Sequence, residues 1–379
     1  MEKINILNQE DILNRRELNK ILKSIFSGQI TINFMLDIFY IIYDFNKDIR
    51  ALIIKNPQLV VVICELIVGA HKSKTIFFND EERAKTEDNK EYRNELVEDV
   101  LKMFKLRDHI NLIIRPNQLI KGDKFLLFPV PYYIAILESN FVKIAEKSKE
   151  IPYVYSTIAY KSLAILSLLQ DNFGDCAYSI CRVIIEEYLR GNIFKNCKEA
   201  LYEYDKFTQY ELKKSIRYPQ DEEFDKKFKN RLNKTRVQKS DFLHYGWVDA
   251  IPGYHSIIKE RPYTFTGIKN FIVEKFSKDE SKGSFEILEY YHNMCHGYVH
   301  GSIQGSKYPL LHYFEINSIL VNVTVNAYSA LCNELKIDSS IDGIDVLSEI
   351  NKHYKILEDA EKKKSTESFE DYYKRFKLL

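Results

Sequence analysis

Glycine and proline are scarce in this chain, 13 and 9 of 379 residues. So few backbone breakers argue against an all-β sandwich and permit long helices. Tryptophan occurs once, at Trp247. Neither sign of charge dominates. The 55 Lys and Arg nearly cancel the 54 Asp and Glu, so no whole-molecule field draws in a polyanion, and any nucleic-acid contact must rest on a local patch. The six cysteines, Cys64, Cys176, Cys181, Cys197, Cys295 and Cys332, include no CxxC pair. That excludes a zinc ribbon and reads as reduced thiols rather than a disulfide scaffold. The longest apolar run, Leu59 to Ala70, contains Glu65 and falls well short of the roughly 20 residues of a bilayer span. The first residues, Met1 to Asn5, do not have the shape of a signal peptide. The expectation is a cytoplasmic protein without membrane contact.

A hydrophobic fraction of 45% and an aromatic fraction of 13% supply a sizeable core. Residues 1–105 show apolar spacing of three and four, at Leu18, Ile21, Leu22 and Ile25 and again at Phe34, Ile38, Ile41 and Ile42, which predicts helices. Pro57 followed by Leu59–Val68 predicts a buried helix opened by proline. Residues 112–127 are predicted as a short β-hairpin turning at Gly122-Asp123. Pro152 opens a predicted helix through Gln170; turn chemistry at 171–175 precedes a second, from Cys176 to about Phe194. Residues 196–280 read as a charged, aromatic insertion with helical pieces. Further helices are predicted near 284–303 and 309–336, and 337–379 reads as a charged amphipathic tail. The chain is therefore mainly α, with an N-terminal helical region over 1–150, a helical bundle over 151–336 and a C-terminal helical tail.

Three of the nine histidines, His292, His296 and His300, recur at spacings of four. Residues four apart stack on one side of a helix, and imidazole is the side chain suited to proton transfer near neutral pH and to metal binding. At 100° per residue, Glu289, Asn293, His296 and His300 form a polar seam, with His292 on the apolar side beside it. On helix 176–194, Arg182, Glu186 and Arg190 face away from the apolar arc of Ala177, Ile180, Cys181 and Ile184. Glu187 falls inside that arc, and a buried carboxylate there requires a partner or a raised pKa. The seam is expected to meet either Glu187 or the Arg182/Glu186 face.

The pattern Cys181-Arg182-Val183-Ile184-Ile185-Glu186 after a Gly-Asp turn, followed by Tyr291, Cys295 and His300-Gly301-Ser302, resembles an uncharacterised bacterial family of HEPN-like helical proteins. These are akin to abortive-infection and toxin-type HEPN domains. The resemblance covers roughly residues 150–336. It implies a helical bundle, commonly dimeric, and a metal-independent ribonuclease of phage-defence or toxin–antitoxin systems, with RNA as substrate and a protein antitoxin as partner. The family's motif places four to six residues between an Arg and its histidine. His300 matches the histidine, while Asn293, Met294 and Cys295 occupy the Arg positions, so the cation must come from elsewhere, with Arg182 the first candidate.

On this reading His300 and His296 act as base and acid, Arg182 clamps phosphate, and Glu186 and Glu187 orient them, with Asn293 a further candidate in the same seam. No cofactor is expected. The alternatives are a non-catalytic sensor or scaffold whose polar seam sets bundle register, and a metal-dependent hydrolase using His292, His296 and Glu289. Glu289-x-x-His292 has the spacing of a di-iron helix motif but lacks its second copy. A basic run over Lys226–Lys239, with Lys227, Arg231, Lys234 and Arg236 as its core, is the candidate nucleic-acid contact; the competing reading is a solvated helix face. Trp247 is expected to anchor the insertion's core rather than stack on a base.

Overall fold

A computed structural model describes residue 7 and residues 9–110, 128–171, 173–215, 222–235, 237–276, 282–299 and 309–364. The chain is mainly α. Among the described residues no strand forms; one isolated bridge pairs Ile341 with Ile344. The hairpin expected over 112–127 lies outside the described residues, as do His300 and Arg236.

The N-terminal part runs α1 (Gln9–Leu13), α2 (Arg15–Phe26), α3 (Ile32–Phe45), α4 (Lys47–Lys55), α5 (Leu59–Thr75), α6 (Asp80–Glu87) and α7 (Lys90–Leu106). Asparagines start four of these helices. The side chains of Asn14, Asn46, Asn79 and Asn89 accept hydrogen bonds from first-turn backbone N–H groups, and Asn79 with Glu82 completes a reciprocal capping box. Such caps satisfy donors that have no partner inside the helix. Helix α5 is buried on every side from Val60 to Thr75 except at Val62 and Lys72, as expected of a helix apolar all round, and α3 and α7 pack against it.

Next come α8 (Pro129–Ala145), α9 (Pro152–Gln170) and α10 (Gly174–Asn196), then α11 (Lys198–Ser215), α12 (Glu222–Thr235), α13 (Lys239–Tyr245), α14 (Tyr254–Ile257) and α15 (Phe265–Lys275). The last elements are α16 (Lys282–Val299), α17 (Pro309–Leu320), α18 (Asn326–Leu335) and α19 (Val346–Lys364). Proline opens α8 and α9, where its missing N–H costs nothing. Helix α10 is the hub, with α9 and α16 along it and α11, α15 and α17 around it. The single helix expected over 309–336 is interrupted by a π-turn at Val321–Val325 between α17 and α18. Inside that turn, Thr324 shares a buried 2.7 Å hydrogen bond with Ser162 of α9. Lys336 ends α18 in the left-handed conformation, φ 54°.

Helix α19 is not a peripheral tail. Val346, Ile350 and Leu357 are buried, and the helix packs on α8. Its charged residues conceal this stripe in the sequence because several of them face inward: Glu349 and His353 are buried, Lys102 pairs with Glu349, and Lys352 donates to Asp99 at 2.9 Å.

One core carboxyl has no such partner. Glu138 of α8 is completely enclosed and neither oxygen has a hydrogen-bond partner. Burial pushes its pKa well above the ordinary carboxyl range, so it is held as the neutral acid. A group with a raised folded-state pKa supports the fold fully below its unfolded pKa and loses that support as pH rises toward the folded value. The expected result is that wild-type stability declines above about pH 4.5, and that Glu138→Gln, neutral at every pH, flattens the decline. Urea midpoints between pH 4 and pH 8 measure it. An equal slope in both proteins contradicts the assignment.

Candidate functional site

Helices α10 and α16 bring together side chains more than a hundred positions apart. Glu186 is the centre. Its Oε1 accepts from Arg182 Nε at 3.1 Å and faces His292 Nε2, also at 3.1 Å. Its Oε2 accepts from Arg190 Nη2 at 2.8 Å. Arg182 Nη1 in turn lies 3.1 Å from His296 Nδ1. The polar seam of α16 therefore meets the Arg182/Glu186 face of α10. Glu187, the other candidate, is buried against Arg190 Nη1 at 2.8 Å.

The face carrying Glu186 and Arg190 looks solvent-directed on a helical wheel, yet both residues are buried. α11, α15 and α16 cover it, and burial there is tolerable because opposite charges four apart on one helix neutralise each other. Burial alone raises the Glu186 pKa. The His292 hydrogen bond, the Arg190 charge and the Arg182 contact outweigh it and hold the carboxyl at about 2, so Glu186 is an anion at neutral pH. For Glu187 burial wins over Arg190, and its pKa is raised.

His292 is clamped from its other side. Phe265 of α15 stacks on the imidazole at 3.7 Å between centroids, with the planes 8° apart. Nothing in the spacing of the histidines reveals this stack, since Phe265 comes from the insertion. Glu289 is directed to α15 as well, taking hydrogen bonds from Lys269 Nζ and Thr266 Oγ1, both at 2.6 Å. With Glu289 committed to Lys269 and His292 to Glu186, these two are not drawn together with His296 around a common centre. Among the described residues, the one group of three His, Cys, Asp or Glu side chains close enough to share an ion is Asp99, Glu349 and His353.

His296 and Asn293 are exposed on α16. Arg182 keeps 28% of its side chain accessible, so the Arg182–His296 pair opens to solvent above a buried base of Glu186, His292 and Arg190. Cys295 is buried and its thiol is pushed up to about 12, by burial first and by Glu315 second. That makes it a core thiol rather than a nucleophile. Glu315 of α17, which in the sequence stands only in a reversed copy of the di-iron spacing, His312-x-x-Glu315, is a further half-buried ionisable group here. It accepts a hydrogen bond from the Tyr178 hydroxyl, and the Tyr178 ring stacks on Tyr298 of α16 at 4.0 Å. Burial, reinforced by Glu361 against two tyrosine hydrogen bonds, lifts its pKa to about 7.

Apart from Lys239, which opens α13, the described part of the basic run lies on α12. There Lys227 pairs with Glu223, and Lys229 pairs with Asp225. Arg231 turns inward to Glu203, Asp249 and the Gly246 carbonyl. Lys234 is exposed. Arg231 thus ties the insertion to itself, and the acidic residues of the first turn offset much of the remaining positive face. Trp247 is fully buried against Phe194 and Tyr204, the core anchor expected of it.

Comparison with family models, with curated proteins and with solved structures finds no match. No helix of the described residues is long and apolar enough to cross a membrane.

Proposed function

We propose that the chain is a HEPN-like effector of bacterial defence or toxin type that acts on RNA by metal-independent transesterification. The single observation supporting this is the Arg182–His296 pair, 3.1 Å apart and open to solvent. Cleavage by an RNA chain's own 2′-hydroxyl needs a base to take the hydroxyl proton and an acid to protonate the leaving 5′-oxygen. It also needs a fixed cation at the phosphate. Arg182 is the proposed phosphate clamp, its guanidinium aligned by Glu186; a planar fork of donors suits a phosphate's oxygens. His296 is one acid–base group, and His300, four positions further along the chain, is the proposed second. Glu186 and Glu187 act through Arg182 and Arg190, as positioning residues. The partners proposed are RNA, a protein antitoxin and a second copy of the chain, with the cytoplasm as location.

A second reading has its own support. Glu186, Arg190, Glu187 and His292 are all buried, and such a network serves equally to fix the register of a non-catalytic sensor or scaffold module.

One assay separates them. Purified protein is incubated with total RNA in excess EDTA, and the products are examined for 2′,3′-cyclic phosphate ends. Cleavage that persists in EDTA and falls on the order of 100-fold or more in Arg182→Ala and in His296→Ala is the expected outcome. Absence of cleavage by folded wild type, at any stoichiometry, leaves the scaffold reading in its place.

A further inference from the structure

A second cluster of ionisable groups lies outside the α10–α16 site, where α7, α19, α5 and α8 meet. Asp99 of α7 and Glu349 and His353 of α19 are all buried, Asp99 and His353 at 0% and 1% exposure. His353 Nε2 is 3.6 Å from Asp99 Oδ1 and 3.8 Å from Glu349 Oε2. Both ring nitrogens of His353 and Glu349 Oε2 lack any hydrogen-bond partner. Tyr133 of α8 stacks on the imidazole, 5.8 Å away with planes 20° apart, and its own hydroxyl is also without a hydrogen bond. Enclosed polar atoms are nearly always satisfied, so this many unmet in one place point to an occupant.

From this geometry we infer that Asp99, Glu349 and His353 hold one divalent transition-metal ion. Ligand atoms about 2.1 Å from a common ion stand roughly 3.4–3.6 Å apart in tetrahedral or trigonal arrangement; the 3.6 Å separation to Asp99 falls in that range and the 3.8 Å separation to Glu349 needs to close by a few tenths of an ångström. One imidazole and two carboxylates suit Zn²⁺, Mn²⁺ or Fe²⁺; Mg²⁺ and Ca²⁺ prefer all-oxygen shells. Glu349 and His353 are one turn apart on α19, so one rigid element presents two of the three donors.

Charge decides whether an ion can enter. Three ammonium groups face the cluster: Lys74 lies 2.8 Å from Asp99 Oδ2, Lys352 donates to Asp99 Oδ1 at 2.9 Å, and Lys102 pairs with Glu349 Oε1. Lys102 and Lys352 keep 34% and 39% of their side chains exposed, so both ammonium ends can withdraw to water. Lys74 stays balanced by Glu95, 3.2 Å away. What remains is two carboxylates against a doubly charged ion. The two lysines are stand-ins for the metal, and without metal they keep the helices together. Joining α7 to α19 within the core makes this a structural ion, independent of any chemistry at Arg182.

The test uses the full chain. Metal analysis of protein purified without chelator is expected to find close to one zinc, manganese or iron per chain, falling to background in His353→Ala. Protein stripped with EDTA is then titrated with Zn²⁺ and, separately, Mn²⁺, and its thermal midpoint followed. Wild type is expected to rise in midpoint with added ion, and His353→Ala is expected not to respond. Lys352→Met gives an arm in which all three donor side chains stay in place. Losing a competing unit charge is expected to tighten binding about five- to tenfold. Absence of metal together with an unchanged midpoint at 100-fold excess of both ions overturns the inference. So does a midpoint rise of equal size in wild type and His353→Ala, or weaker binding in Lys352→Met.

Discussion

Replacing Glu186 by alanine is expected to destabilise the protein by about 3 kcal/mol, the lower end of the range for breaking a buried ion pair. Glu186 accepts from Arg182 and Arg190 and faces His292. Arg190 is buried, and its charge would persist in the variant. The cost stays at the lower end because Glu187 remains beside it at 2.8 Å. The titration of Glu186 reflects the same contacts. The carboxyl is held at about 2 against an ordinary value of 4.5, a displacement worth about 3 kcal/mol. A depressed carboxyl pKa contributes stability that is complete above the unfolded value and is lost as pH falls through the folded one. Wild type therefore loses this contribution between about pH 4.5 and pH 2, and Glu186→Ala has none of it to lose there. Urea denaturation at pH 7 and again at pH 3 checks both statements. The gap between the two proteins should narrow at the lower pH; a constant gap would refute the ionic account. Glu186→Gln keeps the shape and an acceptor oxygen but not the charge, so it separates packing from electrostatics.

Replacing Trp247 by alanine is expected to cost about 3–5 kcal/mol, as for other large-to-small changes in a core. The indole is fully enclosed, set edge-on to Phe194 at 5.3 Å and to Tyr204 at 5.7 Å, with its N–H donated to the His244 carbonyl at 3.0 Å. The position before it is equally tight. A Cβ on Gly246 would come within 2.7 Å of the Phe207 ring. The damage reaches the candidate site as well, because Tyr204 also lies under the Arg190 guanidinium, 5.1 Å from ring centroid to Arg190 Cζ. Trp247→Phe restores most of the apolar area but not the donor to His244, and should recover part of the loss. Thermal unfolding followed by circular dichroism measures all three proteins. A midpoint for Trp247→Ala within about 2 °C of wild type would show that the insertion contributes little to the cooperative unit.

Local sequence carried much of this protein's plan. Prolines and asparagine caps set where helices begin, and apolar spacing of three and four set which segments coil. Helix α9 starts at Pro152 and stops at Gln170 as its residues predict, while α10 starts at Gly174, two residues before the expected Cys176, and takes Gly174-Asp175 into its first turn. His292 falls on the apolar side of α16 by simple angular position, and it is the histidine that is buried there. These properties repeat within a few residues, so a short window contains the physics that determines them.

Pairings across the chain are another matter. That Arg182 faces His296, 114 positions away, and that Glu186 faces His292, 106 positions away, depends on how α16 is rotated and slid along α10. A helical wheel specifies neither quantity. The wheel places the Glu186/Arg190 face opposite the apolar arc of α10 and offers the α16 seam as one possible cover; α11, α15 and α16 together enclose it, because a balanced pair such as Glu186 and Arg190 can be enclosed at modest cost once every charge has its counterpart. The same reason hid the docking of α19, whose Glu349 and His353 read as surface residues until Asp99 and Lys102 were placed beside them. Composition and periodicity determined the helical class and the approximate place of many helices. Tertiary packing alone decided which polar faces were enclosed and which distant ions met, since burial belongs to a residue's neighbours and not to the residue.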